Sequence, residues 1–185
     1  PVEGLLLNKS ATDMRGDGSK FQIDLKAEAE SNIVVTSAPC DIILVLDTSG
    51  SMAGSAINSL KNAAKNFVDT VAKNSPTSRI GLVAYSSYVD SYTDLTEVST
   101  SGATALKNKI QGYRTGGSTY SDAGLEKATE MFQEIESSDS NYNNTRAVIL
   151  FTDGVPGNGN WSSNTALNTA QDSIQWSKIL KGEKG

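Results

Sequence analysis

The sequence contains no histidine and only one cysteine among its 185 residues. Without histidine, neither a Ser-His-Asp nor a Cys-His catalytic arrangement is available, and no metal site can use imidazole ligands. The single cysteine, Cys40, cannot form an internal disulfide or supply a multi-thiolate metal site. These absences exclude most common hydrolase mechanisms. We expect Cys40 to be a small buried residue at the start of a strand.

Basic residues are scattered, and they are outnumbered by acidic ones. The chain has 16 Lys and Arg against 21 Asp and Glu, a formal charge of −5, and no basic run. Sequence-independent phosphate binding requires a basic patch, so nucleic acid is not an expected partner. No apolar segment approaches the roughly 20 residues that span a bilayer, so we expect no membrane insertion in this segment. The hydrophobic content of 37% suits one main domain with one core.

Residues 1–39 differ in pattern from the rest of the chain. Two short strand-like pieces flank Asp17 and Gly18, a pair that favours the positive φ angles of a tight hairpin turn. We therefore predict a β-hairpin-like lead-in and linker over residues 1–39, followed by the main domain over residues 40–185.

From residue 41 onward, apolar runs of strand length alternate with apolar residues at helical spacing. Strands are predicted at 42–46, 79–85 and 146–151, with a short hairpin partner at 88–93. Helices are predicted around 57–71, 106–110, 125–135 and 167–174. This alternation predicts an α/β fold, a doubly wound and mostly parallel sheet with helices on both faces.

Small oxygen-bearing side chains follow two of the predicted strands. Asp47 and Asp153 each lie at the end of an apolar run. In open parallel sheets, ligands bind beyond the carboxyl ends of the strands, where the strand order reverses. If the two strands are neighbours, these carboxylates converge with the hydroxyls of Ser49 and Ser51, and Gly50 lets the loop turn tightly. Oxygen ligands alone are typical of a site for a hard cation such as Mg²⁺.

This arrangement resembles the von Willebrand factor type A domains, with their metal-ion-dependent adhesion site. The family's Asp-x-Ser-x-Ser motif matches Asp47, Ser49 and Ser51. Its threonine after a glycine-rich turn matches Thr119, and its aspartate in a strand-ending Thr-Asp-Gly matches Asp153. The resemblance covers about residues 41–181 and implies a Rossmann-like fold.

The resemblance also implies a role for each matching residue. Ser49 and Ser51 would bind the ion through their hydroxyls, and Thr119 would bind it directly or through water. Asp47 and Asp153 would act partly through water. The implied ion is Mg²⁺, with Mn²⁺ or Ca²⁺ as alternatives, and a carboxylate from a partner protein would complete its coordination.

Other interpretations of these residues are helix capping and two enzyme classes. Asp and Ser at strand ends often cap the next helix, and Thr119 could cap the helix that carries Leu125. A haloacid-dehalogenase-like phosphatase would need a second aspartate at the position of Ser49. A P-loop would need a lysine, which the stretch from Asp47 to Ser55 lacks. The pattern therefore favours a binding module over an enzyme.

The resemblance also predicts more sheet than this chain supplies. The family's sheet normally continues after the fourth helix, whereas only Lys-Gly-Glu-Lys-Gly follows Leu180. Native sheets avoid long exposed strand edges. We expect the natural polypeptide to continue, or the remaining strands to come from another chain or fragment.

The lead-in resembles the segment that precedes the type A domain in Gram-positive surface proteins and pilus-tip adhesins. This resemblance makes Lys9 a candidate for an isopeptide bond. Separately, Trp161 is either a contact for a partner at the rim of the site or a packing residue. We expect an adhesion domain at the cell surface, cell wall or pilus, with a host matrix or cell-surface protein as ligand and a role in virulence. The alternative is an intracellular scaffold or chaperone subunit with a structural metal, and a magnesium-dependent phosphatase-like enzyme fits less well.

Overall fold

The computed structural model describes residues 5–13, 21–29, 38–154, 156–157 and 164–182, the first two ranges as backbone alone. The chain divides into two compact units, residues 1–36 and residues 37–185. In the first unit, β1 (Leu5–Asp13) pairs with β2 (Phe21–Ala29) in antiparallel register. The predicted turn at Asp17 and Gly18 lies outside the described residues.

The second unit alternates strands and helices, as the apolar pattern predicts. Its strands are β3 (Cys40–Asp47), β4 (Arg79–Tyr85), β5 (Val89–Glu97) and β6 (Thr145–Phe151). Its α-helices are α1 (Ser55–Asn74), α2 (Thr100–Gly112), α3 (Ser121–Gln133) and α4 (Asn164–Leu180). A short 3₁₀ helix, Gly50–Met52, lies between β3 and α1.

The four strands form one sheet in the order β5-β4-β3-β6. The central strand β3 runs parallel to both β4 and β6, while β5 is antiparallel to β4. The chain therefore leaves β3 towards one side of the sheet and later returns to its other side. This confirms the predicted doubly wound, mostly parallel sheet.

Both faces of β3 are covered, which explains its continuous apolar sequence. Leu44 and Leu46 face one core layer, which contains buried residues of α1 and α2. Ile43 and Val45 alternate with them and face a second layer, which contains buried residues of α3. Helix α4 packs against α3 on that side. Helices therefore lie on both faces of the sheet, as predicted.

Helix α4 buries different side chains from those that predicted it. The apolar residues Leu167 and Ile174 are 53% and 55% exposed, whereas Ala166 and Thr169 are buried. The apolar spacing indicated a helix correctly, but it did not identify the side that packs inward. The side chains at 166 and 169 are small and allow close helix packing. Small residues add little to an apolar pattern, so the sequence did not mark this side of the helix as the buried one.

Cys40 begins β3, as predicted, but it is half-buried rather than buried. Its thiol donates a hydrogen bond of 3.5 Å to the carbonyl of Ala38. Its backbone amide donates to the hydroxyl of Ser78 at 3.0 Å. The first residue of this strand is therefore fixed by polar contacts and only partly covered by the core.

Strand β6 lies at an edge of the described sheet, and Leu150 on it is 39% exposed. All seven residues of β6 are exposed or half-buried, in contrast to the buried β3. The expectation that further strands pair with this edge stays a prediction.

A buried ion pair lies where β3 and β4 begin, at the end of the sheet opposite Asp47. Arg79 donates to both carboxylate oxygens of Asp41, at 2.8 and 2.6 Å, and Asp41 has no exposed surface. A third nitrogen of Arg79 donates to Asp139 at 2.7 Å, and Asn144 donates to Asp41 at 3.0 Å. Hydrogen bonding to Arg79 lowers the pKa of Asp139, and the two carboxylates raise the pKa of Arg79.

Candidate metal centre

The carboxyl ends of two neighbouring strands bring the predicted aspartates to one edge of the sheet. β3 ends at Asp47, and β6 ends at Phe151, two residues before Asp153. The two strands pair in parallel with Leu46 opposite Phe151, so the residues that follow them leave the sheet side by side. The condition that the sequence argument required, neighbouring strands, is therefore met.

Hydrogen bonds join the side chains of three predicted residues in a row. The hydroxyls of Ser49 and Ser51 lie 3.0 Å apart. The hydroxyl of Ser51 donates to a carboxylate oxygen of Asp153, also at 3.0 Å. Ser49 is buried, whereas Ser51 and Asp153 are exposed, so the row runs from the protein interior to solvent.

Asp47 is fully buried at the inner side of this row. One of its carboxylate oxygens accepts a hydrogen bond of 2.8 Å from the backbone amide of Ser49. The other accepts a hydrogen bond of 2.8 Å from the hydroxyl of Thr152. The carboxylate is therefore held in one orientation by the loop after β3 and the loop after β6. Sequence reasoning did not identify Thr152, although its position beside Asp153 was the available signal.

Thr119 lies on a third loop that is fixed against the other two. Its backbone forms a pair of hydrogen bonds with Gly157, at 2.7 and 2.6 Å. Gly116 donates to the carbonyl of Thr48 at 2.9 Å, and Gly50 donates to the carbonyl of Gly117 at 3.0 Å. Thr119 is 6% exposed, and its hydroxyl makes no hydrogen bond to another described residue.

The capping interpretation does not hold at these positions. Tyr120, not Thr119, precedes α3 as its cap residue, and no side chain there makes a capping hydrogen bond. Ser49 precedes the 3₁₀ helix, and it makes no side-chain capping bond either. The cap of α1 is Gly54, which has no side chain to offer. The hydroxyls of Ser49 and Thr119 are therefore not used by helix ends.

Gly50 has a close backbone neighbour rather than the special backbone conformation that was expected. Its φ is not positive, so the loop does not depend on a conformation reserved for glycine. A Cβ at this position would lie 3.3 Å from the carbonyl oxygen of Gly117, which is tighter than an ordinary contact. Gly117 itself has a φ of 73°, and a Cβ there would lie 2.7 Å from the hydroxyl of Ser87. The glycines let two loops approach closely.

A second set of hydrogen bonds holds the loop after β3 against the ends of β4 and β5. The hydroxyl of Thr48 donates to one carboxylate oxygen of Asp90 at 2.7 Å. The hydroxyl of Ser86 donates to the other oxygen at 2.9 Å. The backbone amide of Thr48 donates to the carbonyl of Tyr85 at 2.8 Å. Sequence reasoning missed Asp90, because no spacing in the chain connects it with Thr48.

The buried hydroxyl of Tyr85 lies next to two residues of this site, Asp47 and Thr152. The hydroxyl of Tyr85 is buried and has no hydrogen-bond partner among the described residues. Burial, and then the negative charge of Asp47, raises the pKa of Tyr85 above its usual range. Tyr85 therefore belongs to the buried surroundings of Asp47.

The chemistry of the donor set fits a hard divalent cation. Two carboxylates and three hydroxyls offer oxygen alone, the ligand type that Mg²⁺ and Ca²⁺ prefer. Within the described ranges, no three carboxylate, thiolate or imidazole side chains cluster closely enough to hold a metal. An ion at this position would therefore depend on the hydroxyls as well as the two aspartates.

Comparison with known proteins identifies the fold family of the chain. The family model of the von Willebrand factor type A domain matches residues 41–177. Among curated proteins, the voltage-dependent calcium channel subunit alpha-2/delta-2 of Homo sapiens is 25% identical over 118 residues, which are 64% of this chain and 10% of that protein. The chain thus spans only a small part of the curated relatives that it matches.

Solved structures of bacterial pilus proteins share this fold. The pilus adhesin SpaC of Lactobacillus rhamnosus GG is 25% identical with a TM-score of 0.58, over 83% of this chain and 20% of that one. The vWF domain of the type V pili tip protein Mfa5 of Porphyromonas gingivalis is 24% identical with a TM-score of 0.54, over 64% of this chain and 39% of that one. Since the family model covers most of the chain and the sheet has the expected order, the chain belongs to the von Willebrand factor type A domain family.

Proposed function

We propose that the chain is a metal-dependent protein-binding domain, with a Mg²⁺-type ion between the loops that follow β3 and β6. The observation that carries this proposal is the row of hydrogen-bonded oxygens from buried Ser49 through Ser51 to exposed Asp153. In this proposal, Ser49 and Ser51 bind through their hydroxyls. Thr119 binds directly or through water, and Asp47 and Asp153 act partly through water.

The outer side of the proposed site is open to a partner. Ser51 and Asp153 are exposed, while Asp47 and Ser49 hold the inner side in place. When bound, the ion supplies an electrophilic position that a carboxylate oxygen of a partner protein can occupy. The rigid inner side keeps the hydroxyls oriented, so little order has to be gained when a partner binds.

The similar structures support a role at the bacterial cell surface. SpaC is a pilus adhesin, and Mfa5 is a tip protein of type V pili. We propose that this chain is likewise part of a bacterial surface or pilus protein. From the resemblance of the lead-in, we further propose a Gram-positive source, a host matrix or cell-surface protein as ligand and a role in virulence. No helix in the described ranges is both long and apolar enough to span a membrane.

Two other functions lead to different expectations. An intracellular scaffold with a structural metal would lose stability in chelator but would keep its partner. A phosphatase-like enzyme would need a proton-transferring group where this chain has Ser49, and a serine hydroxyl is a poor acid and base near neutral pH. The chain also has no histidine that could act as this proton-transferring group. We therefore propose binding without catalysis.

Binding of Mg²⁺ is expected to stabilise the folded domain. An ion that binds the folded state alone stabilises it by about 3 kcal/mol at a hundredfold excess over its Kd. For a domain of this size, that free energy corresponds to a rise in Tm of roughly 5 to 10 °C. Thermal unfolding in chelator and in millimolar Mg²⁺ measures this difference.

The Asp153→Ala variant serves as the control for this measurement. Asp153 is exposed, and its one hydrogen bond to a described residue comes from Ser51, so its removal should leave the metal-free Tm unchanged. Its Tm should no longer respond to Mg²⁺. An identical Tm for the unsubstituted protein with and without Mg²⁺, after metal removal is verified by elemental analysis, would contradict the proposal.

Replacing Thr119 with alanine is expected to weaken Mg²⁺ binding on the order of tenfold and to abolish metal-dependent partner binding. The substitution removes one hydroxyl, while the backbone bonds to Gly157 that hold the loop remain. Titration calorimetry with Mg²⁺ measures the change, and circular dichroism checks the fold. Thr119→Ser keeps the hydroxyl and should bind normally. If Thr119→Ala binds Mg²⁺ as tightly as the unsubstituted protein, Thr119 is not a ligand.

A further inference from the structure

A polar groove borders the proposed metal centre on the side of β5 and the loop after α2. We call it the Arg114 groove, and its volume is about 330 Å³. Its lining includes Tyr88, Asp90, Arg114, Gly116 and Gly117. No part of the proposed function uses this groove.

Arg114 is unlike the other arginines whose side chains the structure describes. Arg79 is paired with two carboxylates. Arg146 donates to two backbone carbonyls and lies over two aromatic rings. The guanidinium of Arg114 is exposed and makes no hydrogen bond, ion pair or ring contact with any described residue. Its N–H donors, which match a carboxylate in pairs, are therefore available to a ligand.

The one carboxylate among the described residues that line the groove does not neutralise Arg114. Both oxygens of Asp90 accept hydrogen bonds, one from Thr48 and one from Ser86. Asp90 is thereby directed towards the loop after β3. Among the described residues, the positive charge of Arg114 therefore has no partner, and the formal charge of the chain is −5. A free cation in an acidic protein is a feature that an acidic ligand complements.

The Arg114 groove is continuous with the proposed metal centre. Gly116 and Gly117, which line the groove, bond through their backbones to Thr48 and Gly50 of the loop after β3. The groove therefore lies beside the metal centre, within reach of a chain that is bound there. Tyr88 at its border is 67% exposed and offers aromatic surface to such a chain.

We propose that the Arg114 groove binds a second carboxylate of the partner, so that the ligand is an acidic segment with two carboxylates. This inference rests on the proposed function, because the first carboxylate would be the one at the metal ion. Arg114 is the specificity-determining residue, and it pairs with the second carboxylate. Tyr88 packs against the segment between the two acidic side chains.

Short synthetic peptides with blocked ends test this proposal. One series has two aspartates separated by zero to about four glycines, and in its matched series the second aspartate is asparagine. Binding to the domain is followed by NMR titration in Mg²⁺ and in chelator. We expect at least one two-aspartate peptide to bind about three- to tenfold more tightly than its asparagine counterpart. That gain should disappear in Arg114→Ala and persist in part in Arg114→Lys.

Lys73→Ala is the matched control, since it removes one exposed positive charge from the last turn of α1. α1 has 20 residues, so its last turn lies on the order of 30 Å along the helix from its start near the metal loop. This variant should keep the full gain from the second aspartate. A similar loss in Lys73→Ala and Arg114→Ala would indicate a general charge effect and would overturn the proposal.

The remaining outcomes separate the two proposals. If peptides with one aspartate bind in a Mg²⁺-dependent manner but the second aspartate adds nothing, the groove proposal is wrong and the metal proposal stands. If the second aspartate adds affinity that Arg114→Ala does not remove, the second carboxylate binds elsewhere and the groove proposal is again wrong. If no peptide binds in a Mg²⁺-dependent manner, the proposed function fails, and the groove proposal fails with it.

Discussion

Replacing Asp153 with alanine is expected to weaken Mg²⁺ binding by a factor on the order of 100 or more and to abolish metal-dependent binding of carboxylate ligands, with the fold intact. Asp153 contributes a negative charge on the open side of the proposed site, where it accepts a hydrogen bond from Ser51. It is exposed, so its removal leaves no cavity in the core. Titration calorimetry of metal-free protein with Mg²⁺ measures the loss, and circular dichroism checks the fold.

Asp94→Ala is the matched control for this substitution. Asp94 is also an exposed aspartate, and it lines a different groove, beside Arg79 and Glu134. Its removal changes the net charge by the same amount, and it should leave Mg²⁺ binding unaltered. If Asp153→Ala still binds carboxylate peptides in chelator, the partner surface does not involve the ion.

Replacing Arg79 with alanine is expected to lower the free energy of unfolding by about 3 to 5 kcal/mol. Asp41 is completely buried, and Arg79 donates to both of its carboxylate oxygens. Without Arg79, Asn144 remains as the side-chain donor to Asp41. The cost arises mainly because an ionised carboxylate stays buried without its counter-ion. Urea denaturation, followed by circular dichroism, measures the change.

Two further variants establish the cause of this destabilisation. Arg114→Ala removes an exposed arginine that pairs with no described residue, so it should cost less than about 0.5 kcal/mol. The double variant Asp41→Leu with Arg79→Met replaces the pair by apolar side chains and should recover most of the lost stability. A cost for Arg79→Ala below about 1 kcal/mol would show that the pair is not a major contributor. Mg²⁺ affinity should be unchanged in Arg79→Ala, because the pair lies at the opposite end of the sheet.

The three parallel strands of the sheet could be predicted from the sequence because each contains a continuous apolar run. The predicted strand at 79–85 has the same bounds as β4, and β3 and β6 extend the predicted runs by at most two residues at either end. Parallel order followed from the alternation of these runs with helices, and the neighbouring positions of β3 and β6 were expected from the fold class. The helix ends were less predictable: α3 ends at Gln133, although half-buried Ile135 continues its apolar spacing.

Contacts between residues that are distant in sequence could not be predicted. Asp90 binds Thr48 across 42 positions, and no periodicity connects the two. Tyr85 was interpreted as the last residue of a strand, and only the fold brings its buried hydroxyl near Asp47. The close approach of Gly117 to Gly50 is likewise visible only in three dimensions. The convergence of Asp47 and Asp153 could be expected because each follows a strand, whereas the contacts that support them depend on packing.

Crystal diffraction from protein soaked in Mn²⁺ tests the central claim most directly. Mn²⁺ is chosen because it prefers the same oxygen ligands as Mg²⁺ and its position can be located by anomalous scattering. The account predicts an anomalous peak about 2.0 to 2.6 Å from the hydroxyl oxygens of Ser49 and Ser51, with Asp47, Thr119 and Asp153 around it. A map without a peak between these residues at saturating Mn²⁺, or with the ion bound only elsewhere on the domain, would contradict the account.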